Sequence, residues 1–314
     1  MYLNPIVKKD VKVQARSMKI CWSVFAYELI LALVFFLAIY VIQSASRYST
    51  SNIYSAMVWL YPVLAVTQLI ILGLVVPIRT ASSISGEKER QTFDIMMTTS
   101  MSPFSIIAGK VMTAVVQGMF FVVASMPVMA LSFIIGGMSW AYLFWFLGIA
   151  LLVSFFSASI GILCSSLCKR SISAVIMSYA FYLLFFLGTA LPMMLYEVVK
   201  SNLRYTLGTL PRFYEVYGDN IYLTLLLNPA VYLTEFFARI MMGESLVNSL
   251  GNHASMSWQP QTSQVWGPIV LVTSGYWWLI TATLLFVGIS FLFLWIASRR
   301  IDPIRGRRPK GGRR

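Results

Sequence analysis

Charged residues are scarce in this sequence of 314 residues: Asp, Glu, Lys and Arg make up 11% of it, where a soluble domain carries about 25%. With 58% hydrophobic residues and a mean hydropathy of +0.76, a water-solvated globule is excluded and lipid is the solvent for most of the chain. Histidine is reduced to His253, so no His-Glu-x-x-His zinc site can be built and an intramembrane metalloprotease is disfavoured. His253 reads as a plain surface residue in an outer loop. The three cysteines are few as well: Cys21 precedes the first apolar run, and Cys164 and Cys168 have no histidine nearby. They read as small packing residues rather than a disulfide or a metal site. Acidic residues number 11 against 24 basic ones, for a net charge of +13. The basic residues lie at the ends of apolar runs instead of on one soluble face, so they report membrane topology and imply no nucleic acid partner.

What the sequence does have is long apolar runs. Those long enough for a spanning helix, at least about 18 residues, fall near 22–42, 57–78, 111–135, 140–164, 172–196 and 269–297. The first is followed by Ser44-Ala45-Ser46, which faintly resembles a signal-peptidase site. A cleavable apolar region holds only about 7 to 15 residues, so the run is read as a retained anchor. The expected fold is an all-α membrane protein with six transmembrane helices forming one domain over 1–314.

Lysine and arginine counts orient it. Nineteen of the 24 lie in the N-terminal segment (Lys8, Lys9, Lys12, Arg16, Lys19), in 79–110 (Arg79, Lys88, Arg90, Lys110), at Lys169-Arg170, and in the tail 298–314. Basic residues resist translocation, which places both termini in the cytoplasm and the protein in the inner, or cytoplasmic, membrane as a multi-pass protein. A seventh span over 221–242 would break this pattern. There Asn228-Pro229 interrupts the run, and Glu235 and Arg239 would sit at its middle as an i,i+4 pair. A helix-break-helix element in the outer segment 197–268, re-entrant or lying on the membrane, fits better. At the other end, Asn4-Pro5 opens a helix over 1–21 whose lysines share one arc. It is read as an interfacial amphipathic helix facing anionic membrane lipids, or simply as a topology signal.

The segment 79–110 is the sizeable cytoplasmic loop. Glu87, Lys88, Glu89 and Arg90 form a mixed-charge cluster, Thr92 can cap a short helix with Asp94 in its first turn, and Ser102-Pro103 opens another helix. Between the caps stand Phe93, Ile95, Met96 and Met97. A helix that short is unstable alone in water, and large apolar side chains in such a loop point to a partner groove.

Here the chain resembles the ABC-2 type permease family, the transmembrane subunits of ABC transporters. Its members follow the second span with a Glu-rich, Arg-containing turn, then Thr and a short apolar helix, then a Ser-Pro or Thr-Pro step and a Gly-Lys pair. The matching residues are Glu87, Glu89, Arg90, Thr92, Phe93, Met96, Met97, Ser102, Pro103, Gly109 and Lys110. Gln91 departs from the pattern, since the family usually places Gly there. The resemblance implies that the residues from about Glu87 to Thr99 include a coupling helix docking in a groove of an ATPase subunit, with Lys88 and Asp94 in the same stretch. It also implies a dimer with a second copy or a related permease, and pathway-lining or dimer-facing positions on helices 2 and 5, here Pro62, Thr67, Gln68, Ser178, Tyr179 and Tyr182. The chain contains no Gly-x-x-x-x-Gly-Lys-Ser/Thr loop, because Gly109-Lys110 lacks both the upstream glycine and the following hydroxyl residue. The chain is therefore not expected to be an enzyme, and ATP and Mg belong to the partner ATPase.

Two further features carry expectations. Ser157, Gly161 and Ser165 recur every four residues, which suits close helix approach, either to another subunit or within one. Glu28 lies inside the first span, as a functional carboxyl or as a group reaching interfacial cations. The function expected is an ATP-driven exporter subunit moving an amphipathic or peptide-like substrate out of the cytoplasm. An ion-coupled carrier or channel, which would show inverted repeats and several intramembrane charges, and a peptide-binding immunity-type membrane protein are the alternatives.

Overall fold

A computed structural model of the chain describes residues 7, 12, 17–46, 57–93, 102–137, 141–208, 224–242 and 277–301. The described residues are helical almost throughout, in eight helices: α1 Met18–Ser46, α2 Leu60–Glu89, α3 Pro103–Ala124, α4 Met126–Gly136, α5 Ala141–Leu167, α6 Ser171–Leu207, α7 Pro229–Met242 and α8 Trp277–Ile301. Six of them, all but α4 and α7, are long and apolar enough to cross a membrane. In lipid a helix satisfies its own backbone polar groups, which is why these sequences take no other form. The N-terminal helix expected over 1–21, the end of the outer segment and the basic tail lie largely outside the described residues.

The chain forms two compact units, Met1–Tyr179 with Ile289–Arg314, and Ala180–Gly288. In the first unit α2 is the central element and packs most extensively on α5, with α3 and α1 on its other sides. The α2–α5 seam is very close. A Cβ on Gly161 would fall 1.8 Å from Thr80 Oγ1 and 3.2 Å from the Ala81 backbone nitrogen. One turn further on, Ser165 Oγ accepts from the backbone N–H groups of Ile84 at 3.0 Å and Ser85 at 2.9 Å. Of the small-residue stripe, Gly161 and Ser165 are thus buried against the chain's own second helix, and Ser157 is buried as well. Only a residue without a side chain lets two backbones approach this closely.

The boundaries of the second and third helices differ from the hydropathy pattern, and α6 runs on to Leu207 rather than ending near 196. The second helix does not stop near 78 but continues through Glu89, because its polar residues Thr80, Ser83 and Ser85 bond back to α2 carbonyls while the helix packs on α5. The third helix starts at Pro103, with Ser102 Oγ accepting from Ser105 N as its N-cap, and breaks at Ser125, just before Met126-Pro127 opens α4. Lys110 therefore sits two turns inside a helix.

In the second unit, Asn228 ends a 3₁₀ turn over 224–227 and caps α7, its Oδ1 accepting from Ala230 N at 2.9 Å. Its Nδ2 donates to Thr189 Oγ1 at 2.9 Å, tying the break to α6. With 14 residues, α7 is about 21 Å long at 1.5 Å per residue, short of the roughly 30 Å hydrocarbon core. Glu235 and Arg239 form a buried i,i+4 pair at 2.6 Å on it.

Candidate functional site

The charged cluster Glu87, Lys88, Glu89 forms the last turn of α2, and successive residues there point about 100° apart around the helix. Each therefore meets a different neighbour. Glu87 Oε1 pairs with Lys110 Nζ of α3 at 2.7 Å, and the same ammonium donates to Ser83 O at 3.0 Å. Lys88 Nζ donates to the carbonyls of Ser166 at 2.6 Å and Cys168 at 3.3 Å, where the C-terminus of α5 leaves acceptors unfilled. Glu89 Oε2 accepts from Ser171 Oγ at 2.6 Å, at the first residue of α6. A cation thus sits at one helix's C-terminus and an anion at the next helix's N-terminus, both in the sense the helix dipoles favour.

The three ties differ in strength. Lys110 and Glu87 have side chains 7% and 31% exposed, so their ion pair is partly desolvated, whereas Glu89 is exposed and its bond is correspondingly weaker.

Immediately beyond this turn the chain reverses direction. Arg90 caps α2, Gln91 adopts φ 57°, Gln91 N bonds Lys88 O at 3.2 Å, and Thr92 N bonds Glu87 O at 3.0 Å. These are the paired bonds of a Schellman motif, whose left-handed position is normally glycine. Gln91 takes up that conformation despite its Cβ, so the reversal is as sharp as a glycine would make it. The chain then carries Phe93 back under the helix, with Lys88 Nζ 5.8 Å from its ring centroid, within cation–π range. Asp94, Met96 and Met97 lie outside the described residues. The chain leaves α2 through this turn and enters α3 through the Ser102–Pro103 cap, and the Glu87–Lys110 pair ties α2 to α3.

The other positions singled out in the sequence are spread along the spans. Pro62 and Gln68 are buried in α2, and Gln68 Nε2 donates to Ser125 Oγ at 2.6 Å, across the break between α3 and α4. Thr67 bonds Val63 O within its own helix. Ser178 is buried and bonds Val175 O, while the Tyr179 hydroxyl donates to Leu74 O of α2 at 2.7 Å. Tyr182 is half-buried on α6. Glu28 is half-buried in α1, with Oε1 shielded and without a partner among the described residues. Its span contains no cation within the described part beyond the first turn. Two contributors were not singled out from sequence. Ser171 follows Lys169-Arg170 in the way a helix-start residue follows a loop, a signal that was present; Ser166 contributes through its backbone carbonyl, which no side-chain pattern reveals.

Six helices long and apolar enough to cross a membrane, with no strand among the described residues, define a multi-pass all-α membrane protein. A family model described as ABC-2 family transporter protein matches residues 47–299, and the chain belongs to that family. It is a transporter permease, a membrane transport component. No curated protein matches the chain.

Proposed function

We propose that this chain is the membrane-spanning subunit of an ATP-driven exporter, with the segment beginning at Glu87 as the docking point of a separate ATPase. The observation that carries the reading is the last turn of α2, where Glu87, Lys88 and Glu89 tie that helix to α3, α5 and α6 respectively. A push on 90–102 reaches four helices at once through bonds of 2.6–2.7 Å. In this reading both termini are cytoplasmic, ATP and Mg are held by the ATPase, and the permease works as a dimer with a second copy or a relative. The half-buried Thr67 and Tyr179 line the moving face, and the cargo is amphipathic or peptide-like and leaves the cytoplasm.

The test is co-purification. Phe93→Glu introduces a charge where an apolar side chain would enter the ATPase groove, and it should abolish association with co-expressed ABC ATPase subunits of the same cell while the permease still inserts in the membrane. Normal recovery of the ATPase with that variant would reject the proposal.

A further inference from the structure

At the same end of the first unit, a cavity of about 320 Å³ opens between the start of α1, the middle of α3 and the Arg79–Ser83 stretch of α2, and Arg79 and Lys110 both line it. Pockets that hold small ligands begin near this volume. The charge balance inside it is unusual. Lys110 is paired with Glu87, whereas Arg79 has no carboxylate partner among the described residues. Arg79 donates from Nη2 to Ser23 Oγ at 3.0 Å and lies 5.1 Å from the Phe121 ring centroid. A guanidinium has five N–H donors, so most of its capacity is unfilled.

The other donors agree. Two of the three ammonium protons of Lys110 are engaged, by Ser83 O and Glu87 Oε1, which leaves one. The Ser17 hydroxyl and the Gln117 carboxamide line the same space with no hydrogen bond to a described residue. Ser82 and Ser83 turn their hydroxyl protons back onto the α2 carbonyls of Arg79 and Thr80. Among the described residues the cavity therefore offers N–H and O–H donors around one uncompensated positive charge.

From this we propose that the cavity binds a singly charged phosphodiester-type oxyanion, with Arg79 as its principal ligand and Lys110, Gln117 and Ser17 completing the shell. One excess positive charge matches a monoanion. Planar guanidinium donors suit two oxygens of one phosphate. Ser17 immediately precedes α1, and Ser82 and Ser83 lie within two turns of the α2 end, so the cavity is at the depth where a spanning helix meets lipid headgroups. The anion can come from an anionic lipid headgroup or from free monobasic phosphate, which present the same chemistry. The site is independent of ATPase docking and stands if that reading fails.

The test uses the purified full chain in detergent, with thermal unfolding followed while short-chain phosphatidylglycerol, short-chain phosphatidylcholine or inorganic phosphate is titrated. Phosphatidylglycerol should raise the unfolding temperature saturably, and Arg79→Gln should raise the half-saturating concentration at least about tenfold, the worth of a lost charge-assisted bond. Gln117→Leu should raise it by a smaller factor, and it keeps the test open if the arginine variant does not fold. Arg299→Gln, which changes a cation stacked on Trp295 outside the cavity, should leave it unchanged. Protection by phosphatidylglycerol alone assigns a lipid headgroup, and equal protection by inorganic phosphate assigns the free anion. Protection by phosphatidylcholine equal to that by phosphatidylglycerol, or an unchanged half-saturating concentration in both the Arg79 and Gln117 variants, would overturn the proposal.

Discussion

Replacing Lys110 by methionine keeps most of the apolar stem of the side chain and removes the ammonium with its charge and N–H donors, which isolates the tie between α2 and α3. The ammonium donates to Glu87 Oε1 at 2.7 Å and to Ser83 O at 3.0 Å. Each charge-assisted bond is worth about 1.5–3 kcal/mol, and breaking one side of a fully buried pair costs about 3–5 kcal/mol. Glu87 is 31% exposed, so water recovers part of that loss. Ser83 O also keeps its acceptor role within α2. Together these place the expected destabilisation of Lys110→Met at about 2 kcal/mol, below the fully buried figure. The second Glu87 oxygen is shielded and has no partner among the described residues, so the orphaned carboxylate, rather than the missing ammonium, is the greater part of the loss. Removing it as well, in Glu87→Gln/Lys110→Met, should restore about half of the stability, for a coupling energy of about 1–2 kcal/mol between the two sites. Unfolding in mixed micelles of the four members of this cycle measures both quantities. A single variant within about 0.5 kcal/mol of the parent, the range of inconsequential surface changes, or strictly additive single effects, would refute the reasoning.

The remaining predictions concern the α2–α5 seam and the turn that ends α2. Gly161→Ala places a methyl group 1.8 Å from Thr80 Oγ1, so it should destabilise by about 1–3 kcal/mol, as overpacking does. Gly148→Ala on the same helix meets nothing within 4 Å and should be neutral or slightly stabilising in the same unfolding assay. Gln91→Gly should relieve the left-handed strain at φ 57°, about 1 kcal/mol or more, less the unfolded-chain entropy of glycine, about 0.5–1 kcal/mol. The net gain should appear as slower hydrogen exchange at the amides of Gln91 and Thr92, whereas Gln91→Val should speed that exchange.

Helix existence was legible because a run of apolar side chains long enough to cross lipid has few other structures open to it. Ser102-Pro103 was legible as a helix start because its side-chain cap and fixed φ act locally. Helix ends were harder to read. Residues 79–89 fall in hydropathy and contain four serines and threonines, so they resemble a loop until α5 is seen packed against them, with Ser165 filling the backbone donors of Ile84 and Ser85. Tertiary contact overrode poor helix propensity there. The motif around Glu87 was recognisable in sequence, but which neighbour each charge meets depends on helix rotation and on the positions of α3, α5 and α6. Lys110 reads in the sequence as one of the basic residues that orient the chain, whereas its pairing with Glu87 is a packing contact that only the fold reveals. For the stripe at 157, 161 and 165, spacing fixes a face but never names the helix that covers it.

The claim on which the functional account depends is that the turn at Glu87–Phe93 faces the cytoplasm, where an ATPase can reach it. A cysteine placed at 93, in a background with Cys21, Cys164 and Cys168 replaced by serine or alanine, can be probed with a membrane-impermeant maleimide. The account predicts no labelling in intact cells and full labelling after permeabilisation. Labelling in intact cells would contradict it.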